Sequence, residues 1–200
     1  MAIGGSTAYA GVDHLPPLVR AAIDLATEVG FDHSCRPEQG HLLALLAQGW
    51  SGGRIGETGT GCGVGLAFMT TATAPGTSLV SIELDEQRAA ASAALFADHP
   101  RVRVLQGDWT GLRAHGPFDL LVLDGGGKGK DLSLDSRIDP TDGWLNIGGT
   151  LVLDDFVPAG EPGAEDHDDA RRHWLEHPAL RSTEIRLAAD LATIVGVRWR

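Results

Sequence analysis

Between residues 54 and 154 the chain alternates short apolar runs with stretches whose apolar positions recur every three or four residues. Ser78 to Leu84 (SLVSIEL), Arg101 to Gln106 (RVRVLQ), Phe118 to Asp124 (FDLLVLD) and Gly149 to Asp154 (GTLVLD) read as strands. The last two are almost uninterrupted, as expected of strands covered on both faces. Arg54 to Glu57 is a shorter strand. Val64 to Thr73, Asp85 to Ala97, Asp139 to Ile147 and Asp166 to His177 read as helices, the third opened by Asp139-Pro140 and the fourth stopped by Pro178. Upstream, Pro16-Pro17 opens a helix in which Leu18, Ala22, Leu25 and Ala26 keep helical spacing up to Gly30. Pro37 opens another, with Leu42, Leu43, Leu45 and Leu46 as its stripe and Ser51-Gly52-Gly53 as its end. His33 to Arg36 is a loop, and Met1 to Gly11, small and polar, is expected to be mobile. Two strands, Thr183 to Leu187 and Ala192 to Arg198, close the chain.

Strands alternating with helices predict an α/β fold: a doubly wound, seven-stranded, mostly parallel sheet with helices on both faces. The last two strands are joined by only a few residues, too few for the crossover a parallel pair needs, so they form an antiparallel C-terminal hairpin. No repeat or linker divides residues 1–200, which read as one domain with 1–50 as an N-terminal helical cap.

Composition narrows the field. The chain has 200 residues, 42% hydrophobic and 22% charged, which is enough apolar material for a packed core and too much for a disordered segment. Its only cysteines, Cys35 and Cys62, exclude a disulfide scaffold. A net charge of −11 repels nucleic-acid phosphates and anionic membrane surfaces. The N-terminus lacks the basic and apolar regions of a signal peptide, and the expected location is the cytoplasm. The 27 glycines have no period, but they crowd at Gly52 to Gly65 and at Gly125 to Gly129, around the carboxyl ends of predicted parallel strands. Hydrophobic Trp199, near the terminus, marks a candidate homodimer contact.

The first glycine cluster carries the chemistry. Glu57-Thr58-Gly59-Thr60-Gly61-Cys62-Gly63 follows the first strand and precedes a helix. The dinucleotide fingerprint G-x-G-x-x-G fails in both registers, because its sixth position is Val64 or Leu66. What remains is acidic-x-Gly-x-Gly-x-Gly. Here the chain resembles class I S-adenosylmethionine (SAM)-dependent methyltransferases, over roughly Pro37 to Arg200. The resemblance implies a Rossmann-like sheet with SAM on Glu57, Thr58, Gly59, Thr60, Gly61, Gly63 and Asp124. It places the ribose hydroxyls on Glu83, with Asp85 as the near alternative, and the adenine at Asp108 and Trp109.

The fourth strand ends at Asp124 and the fifth at Asp154-Asp155. Neighbouring strand ends would bring three carboxylates together, which is costly unless something positive sits among them. Oxygen-only ligands suit Mg²⁺ or another hard divalent cation, so Asp124, Asp154 and Asp155 are the candidate metal ligands. The resemblance narrows here to small-molecule O-methyltransferases: Asp124 and Asp155 match a catechol-type branch, with Phe156 in place of its Asn. Asp124, Asp154 and Asp155 all match an antibiotic-sugar branch. It implies methyl transfer to a hydroxyl of a small-molecule acceptor, with Asp124, Lys128 and His33 as candidate catalytic residues. Lys128 lies one position beyond the family's lysine, after an extra glycine. A metal-independent N-methyltransferase and a non-catalytic SAM-binding protein are the alternatives.

Overall fold

The computed structural model describes residues 5–130 and 136–200. Seven strands form one sheet: β1 (Arg54–Thr58), β2 (Ser78–Glu83), β3 (Val102–Gln106), β4 (Phe118–Leu123), β5 (Leu145–Phe156), β6 (Leu180–Arg186) and β7 (Ala192–Arg198). Their order is β3-β2-β1-β4-β5-β7-β6. The first five are parallel, and β7 runs antiparallel between β5 and β6. The predicted hairpin therefore forms, and it joins the sheet through its second strand. From β1 the chain winds outward to β2 and β3, then returns to β4 on the other side. That reversal opens a crevice between the carboxyl ends of β1 and β4, where ligands bind in such sheets.

Alternation along the strands sorts side chains into two cores. Leu120, Val122 and Val152 face a layer that contains α1 (Pro17–Glu28), α2 (Pro37–Gln48) and α3 (Val64–Ala72). Leu121, Leu123, Leu151 and Leu153 face the opposite layer, with Trp144 and with Trp174 of α5 (Asp168–Leu175). The helix α4 (Glu86–Leu95) packs beside β3, and Asp85 caps it by accepting from the Arg88 amide at 2.8 Å. Among the described residues no helix is long and apolar enough to cross a membrane.

Three expectations need correction. Asp139 to Ile147 is a turn leading into a strand, not a helix. Asp139 accepts from the Thr141 amide, Gly143 turns the chain at φ +73°, and β5 begins at Leu145. The stripe of α2 is also shifted: Leu45 is 68% exposed, while Gly40 and Leu43 are buried. A Cβ on Gly40 would overlap the Phe68 ring, so this glycine is what lets α2 and α3 approach. Residues 5–11, expected to be mobile, are docked. The Gly5 amide donates to Asp32 O, Ser6 Oγ to Phe31 O, and buried Tyr9 donates its hydroxyl to Cys35 O at 2.6 Å. Met1 to Gly4 lie outside the described residues.

Candidate functional site

The crevice at the strand reversal is a cavity of about 420 Å³, within the usual range of small-molecule sites. Its floor is the turn after β1. Gly59, Gly61 and Gly63 all have positive φ, between +55° and +85°. Gly59 is irreplaceable for a second reason: the Gly125 amide after β4 donates to Thr58 O at 2.6 Å, and a Cβ on Gly59 would overlap Gly125. The two loops touch backbone to backbone, which fixes the position of Asp124 against the turn.

Glu83 ends β2 with its carboxylate buried. Oε2 accepts from the Gly61 amide at 2.8 Å, and Oε1 accepts from the Asp85 amide at 3.0 Å and from Arg88 Nη2 at 2.9 Å. The carboxylate thus clamps the glycine turn and still lines the cavity. Asp85, the alternative ribose ligand, is committed to capping α4. At the far end Asp108 caps a short 3₁₀ segment, Trp109–His115, and bonding to Thr110 holds its carboxyl below the usual range. The Trp109 indole lies against Gly126, where a Cβ would overlap the ring, and packs 6.1 Å from Trp144. Trp109 and Asp108 therefore form one wall of the cavity.

Beneath the turn, Glu57 is buried and accepts from Ser81 Oγ at 2.6 Å. Burial pushes its carboxyl up to about 8, opposed by the Ser81 bond and reinforced by Asp154 and Glu83. Asp124 lines the cavity, and burial raises it to about 7, with Asp155 adding to the rise and Lys128 opposing it. Burial, then Asp155 and Asp124, also raise Asp154 far above the carboxylate range. Burial acts to raise Asp155 as well, but nearby positive charge, Lys128 foremost, brings it down.

Asp124, Asp154 and Asp155 do converge, each offering an oxygen within 4.8 Å of the others. Two lysines point into the same group. Lys128 Nζ lies 3.9 Å from Asp124 Oδ1 and 4.0 Å from Asp155 Oδ2, and donates to Asp154 O at 3.4 Å. Lys130 Nζ donates to Asp154 O at 2.9 Å and to Asp155 O. Burial, and then Lys128, lower Lys130 to about 7.

Of the sequence-predicted residues, Glu57, Gly59, Thr60, Gly61, Glu83, Asp108, Trp109, Asp124 and His33 line one cavity, with His33 exposed. Thr58, Gly63, Lys128, Asp154 and Asp155 are not part of its described lining. Thr58 Oγ1 instead donates to Gly126 O, and Gly63 starts α3 against Phe96. Sequence reasoning missed Phe31 and Arg88, which line the cavity with the guanidinium 4.9 Å above the ring. It also missed Lys130, although one of only two lysines in the chain was a signal that could have found it.

No protein-family model matches the sequence, and a search of the curated proteins finds no match. Solved structures do match in fold. An O-methyltransferase from Bacillus cereus in complex with SAH has a TM-score of 0.72 at 16% identity, covering 97% of this chain and 96% of its own. TomG, an O-methyltransferase from Streptomyces achromogenes involved in tomaymycin synthesis and solved with SAM, has a TM-score of 0.72 at 18% identity, covering 98% and 96%. Cofactor-bound Rv0187 from MTB reaches 0.76 at 18% identity over 100% of both chains. At these identities the likeness establishes a shared fold.

Proposed function

We propose that the chain is a SAM-dependent methyltransferase acting on a hydroxyl of a small molecule. The carrying observation is the single cavity at the β1/β4 reversal. It joins a glycine turn, a buried carboxylate at the end of β2, an indole wall and an acidic strand end. Full-length likeness to O-methyltransferases solved with SAM or SAH supports the reading.

The residues present suit SAM. Among the charged side chains of the lining, Glu83, Asp108 and Asp124 outnumber Arg88, which favours a ligand carrying a sulfonium and an ammonium. Glu83 Oε2, which accepts only from Gly61, keeps a lone pair for a ribose hydroxyl, and Trp109 offers a flat face to the adenine. The glycine turn presents bare backbone to the methionine end.

When bound, SAM supplies an electrophilic methyl group that passes in line to the acceptor oxygen, leaving a neutral thioether. The protein aligns the acceptor and keeps water out. The hydroxyl proton needs a receiver. Asp124 lies in the cavity with its carboxyl near 7, so at neutral pH a substantial share is ionised and ready to accept. His33 lines the same cavity and is a second candidate. Lys128 balances the charge on Asp124 from behind.

The expectation of a divalent cation gains support from the convergence of three carboxylates and loses it from the two lysines aimed at the same point. The donors fit a cation, but the chain brings one itself, so no step is routed through a metal.

The test is SAH release from SAM across a panel of phenols, catechols, sugars and amines. Turnover that requires an acceptor hydroxyl supports the reading. A hydroxyl-free amine as best substrate, or SAM binding with no turnover on any acceptor, would refute it.

A further inference from the structure

The glycine-rich loop after β4 carries the only two lysines of the chain, and both side chains turn back into the carboxylate cluster. Lys128 is 5% exposed. Its ammonium stands about 4 Å from Asp124 and Asp155 and bonds the carbonyl of Asp154. A hard cation ligated by these three carboxylates would have to sit among the same oxygens. Lys130 shares the Asp154 carbonyl with Lys128 and takes one further oxygen beside the cluster, the carbonyl of Asp155. Its Nζ also lies 4.3 Å from the centre of the Phe156 ring.

The loop is anchored in that arrangement. Fully buried Trp174 donates its indole N–H to Lys128 O at 2.8 Å. Gly127 and Gly129 flank Lys128 at φ +90° and +71°; Gly127 and Lys128 bridge to the Arg137 backbone, and Gly129 lies against the Arg137 side chain. An ammonium buried this deeply persists only when paired, and its partners here are the would-be metal ligands. A divalent ion entering the cluster would meet like charge at close range.

We infer that Lys128, supported by Lys130, is the resident cation of the Asp124-Asp154-Asp155 cluster and excludes a divalent metal from it. The claim concerns metal affinity, so it stands or falls apart from the methyltransferase reading.

The experiment is calorimetric titration of chelator-treated, dialysed protein with MgCl₂, CaCl₂ and MnCl₂. The wild type is expected to show no saturable binding below the millimolar range. Lys128→Met is expected to bind at least about tenfold tighter than the wild type, and to melt at a higher temperature when Mg²⁺ is present. Lys130→Met, which removes a less buried ammonium, is the second variant and is expected to gain affinity to a smaller degree. Micromolar binding by the wild type, lost in Asp155→Asn, would overturn the inference. So would Lys128→Met and Lys130→Met variants that fold but bind no more tightly than the wild type. If neither variant folds, the wild-type titration alone decides between the two outcomes.

Discussion

Replacing Glu83 with Gln separates its two jobs. In the free protein the carboxylate accepts from the amides of Gly61 and Asp85 and from Arg88. Gln preserves the shape but offers one acceptor oxygen and one NH₂ group. If the oxygen stays with Asp85 and Arg88, the NH₂ faces the Gly61 amide, and a buried donor loses its partner. That loss costs roughly 1–3 kcal/mol of stability. For a chain of this length each 1 kcal/mol lowers Tm by roughly 2–4 °C. The ribose hydroxyls lose a charged acceptor as well. Bonds to charged groups are worth about 1.5–3 kcal/mol against 0.5–1.5 for neutral ones, so the expected penalty is about 1–1.5 kcal/mol, or roughly five- to 13-fold in Kd for SAM. Calorimetry with SAH and a melting curve read the two effects separately. Asp85→Asn, which loosens the cap of α4 and a 3.7 Å ion pair with Arg88 while leaving the Glu83 carboxylate in place, is the control: a small stability loss with SAH affinity changed far less than in Glu83→Gln. A Glu83→Gln protein whose Tm falls while SAH affinity stays within about twofold would refute the ribose assignment and leave Glu83 as a clamp on the turn alone.

The remaining predictions concern the floor and walls of the site. Glu57, raised from 4.5 to about 8 by burial, holds its proton in the folded state and loses it earlier when unfolded. Its stabilising contribution is therefore full below pH 4.5 and is lost as pH rises through 8, at about 1.4 kcal/mol per pH unit within that window. Glu57→Gln should flatten the fall in denaturation midpoint between pH 5 and pH 8, and an unchanged slope would count against the burial argument. Gly126→Ala forces a methyl group into the Trp109 ring and should cost about 1–3 kcal/mol while shifting tryptophan emission and weakening SAM binding. Unaltered emission and affinity would mean that the contact does not form. Tyr9→Phe strips the donor from Cys35 O and should cost about 1 kcal/mol, visible as a small drop in Tm. An identical Tm would place the N-terminal segment off the body of the protein.

The strands and the glycine turn were legible in the sequence because their signals are local. A short uninterrupted run such as Leu120 to Leu123, bounded by turn residues, reads as a strand covered on both faces, and three alternating glycines after a strand read as a sharp turn. What the sequence did not disclose depends on distant partners. Asn146 donates to Asp119, 27 positions away, and that bond helps hold residues 145–147 in a strand although Asp139-Pro140 mimics a helix start. Tyr9 meets Cys35 across 26 positions, so a small, polar N-terminus gave no sign that it docks. The carboxylate cluster was foreseen from the strand ends, and so was its need for positive charge. That the chain supplies this charge through Lys128 and Lys130 depends on how the loop folds back, which no spacing encodes. Glu83 was legible as an acidic strand end, but its hold on Gly61 was not.

The central claim, that the cavity at the β1/β4 reversal is a SAM site, is tested most directly by a crystal structure grown with saturating SAH. The account predicts a ribose hydroxyl within hydrogen-bonding distance of the Glu83 carboxylate, adenine against Trp109, and the thioether sulfur over the glycine turn on the side of Asp124. An empty cavity at saturating SAH, or SAH bound elsewhere on the chain, would contradict it.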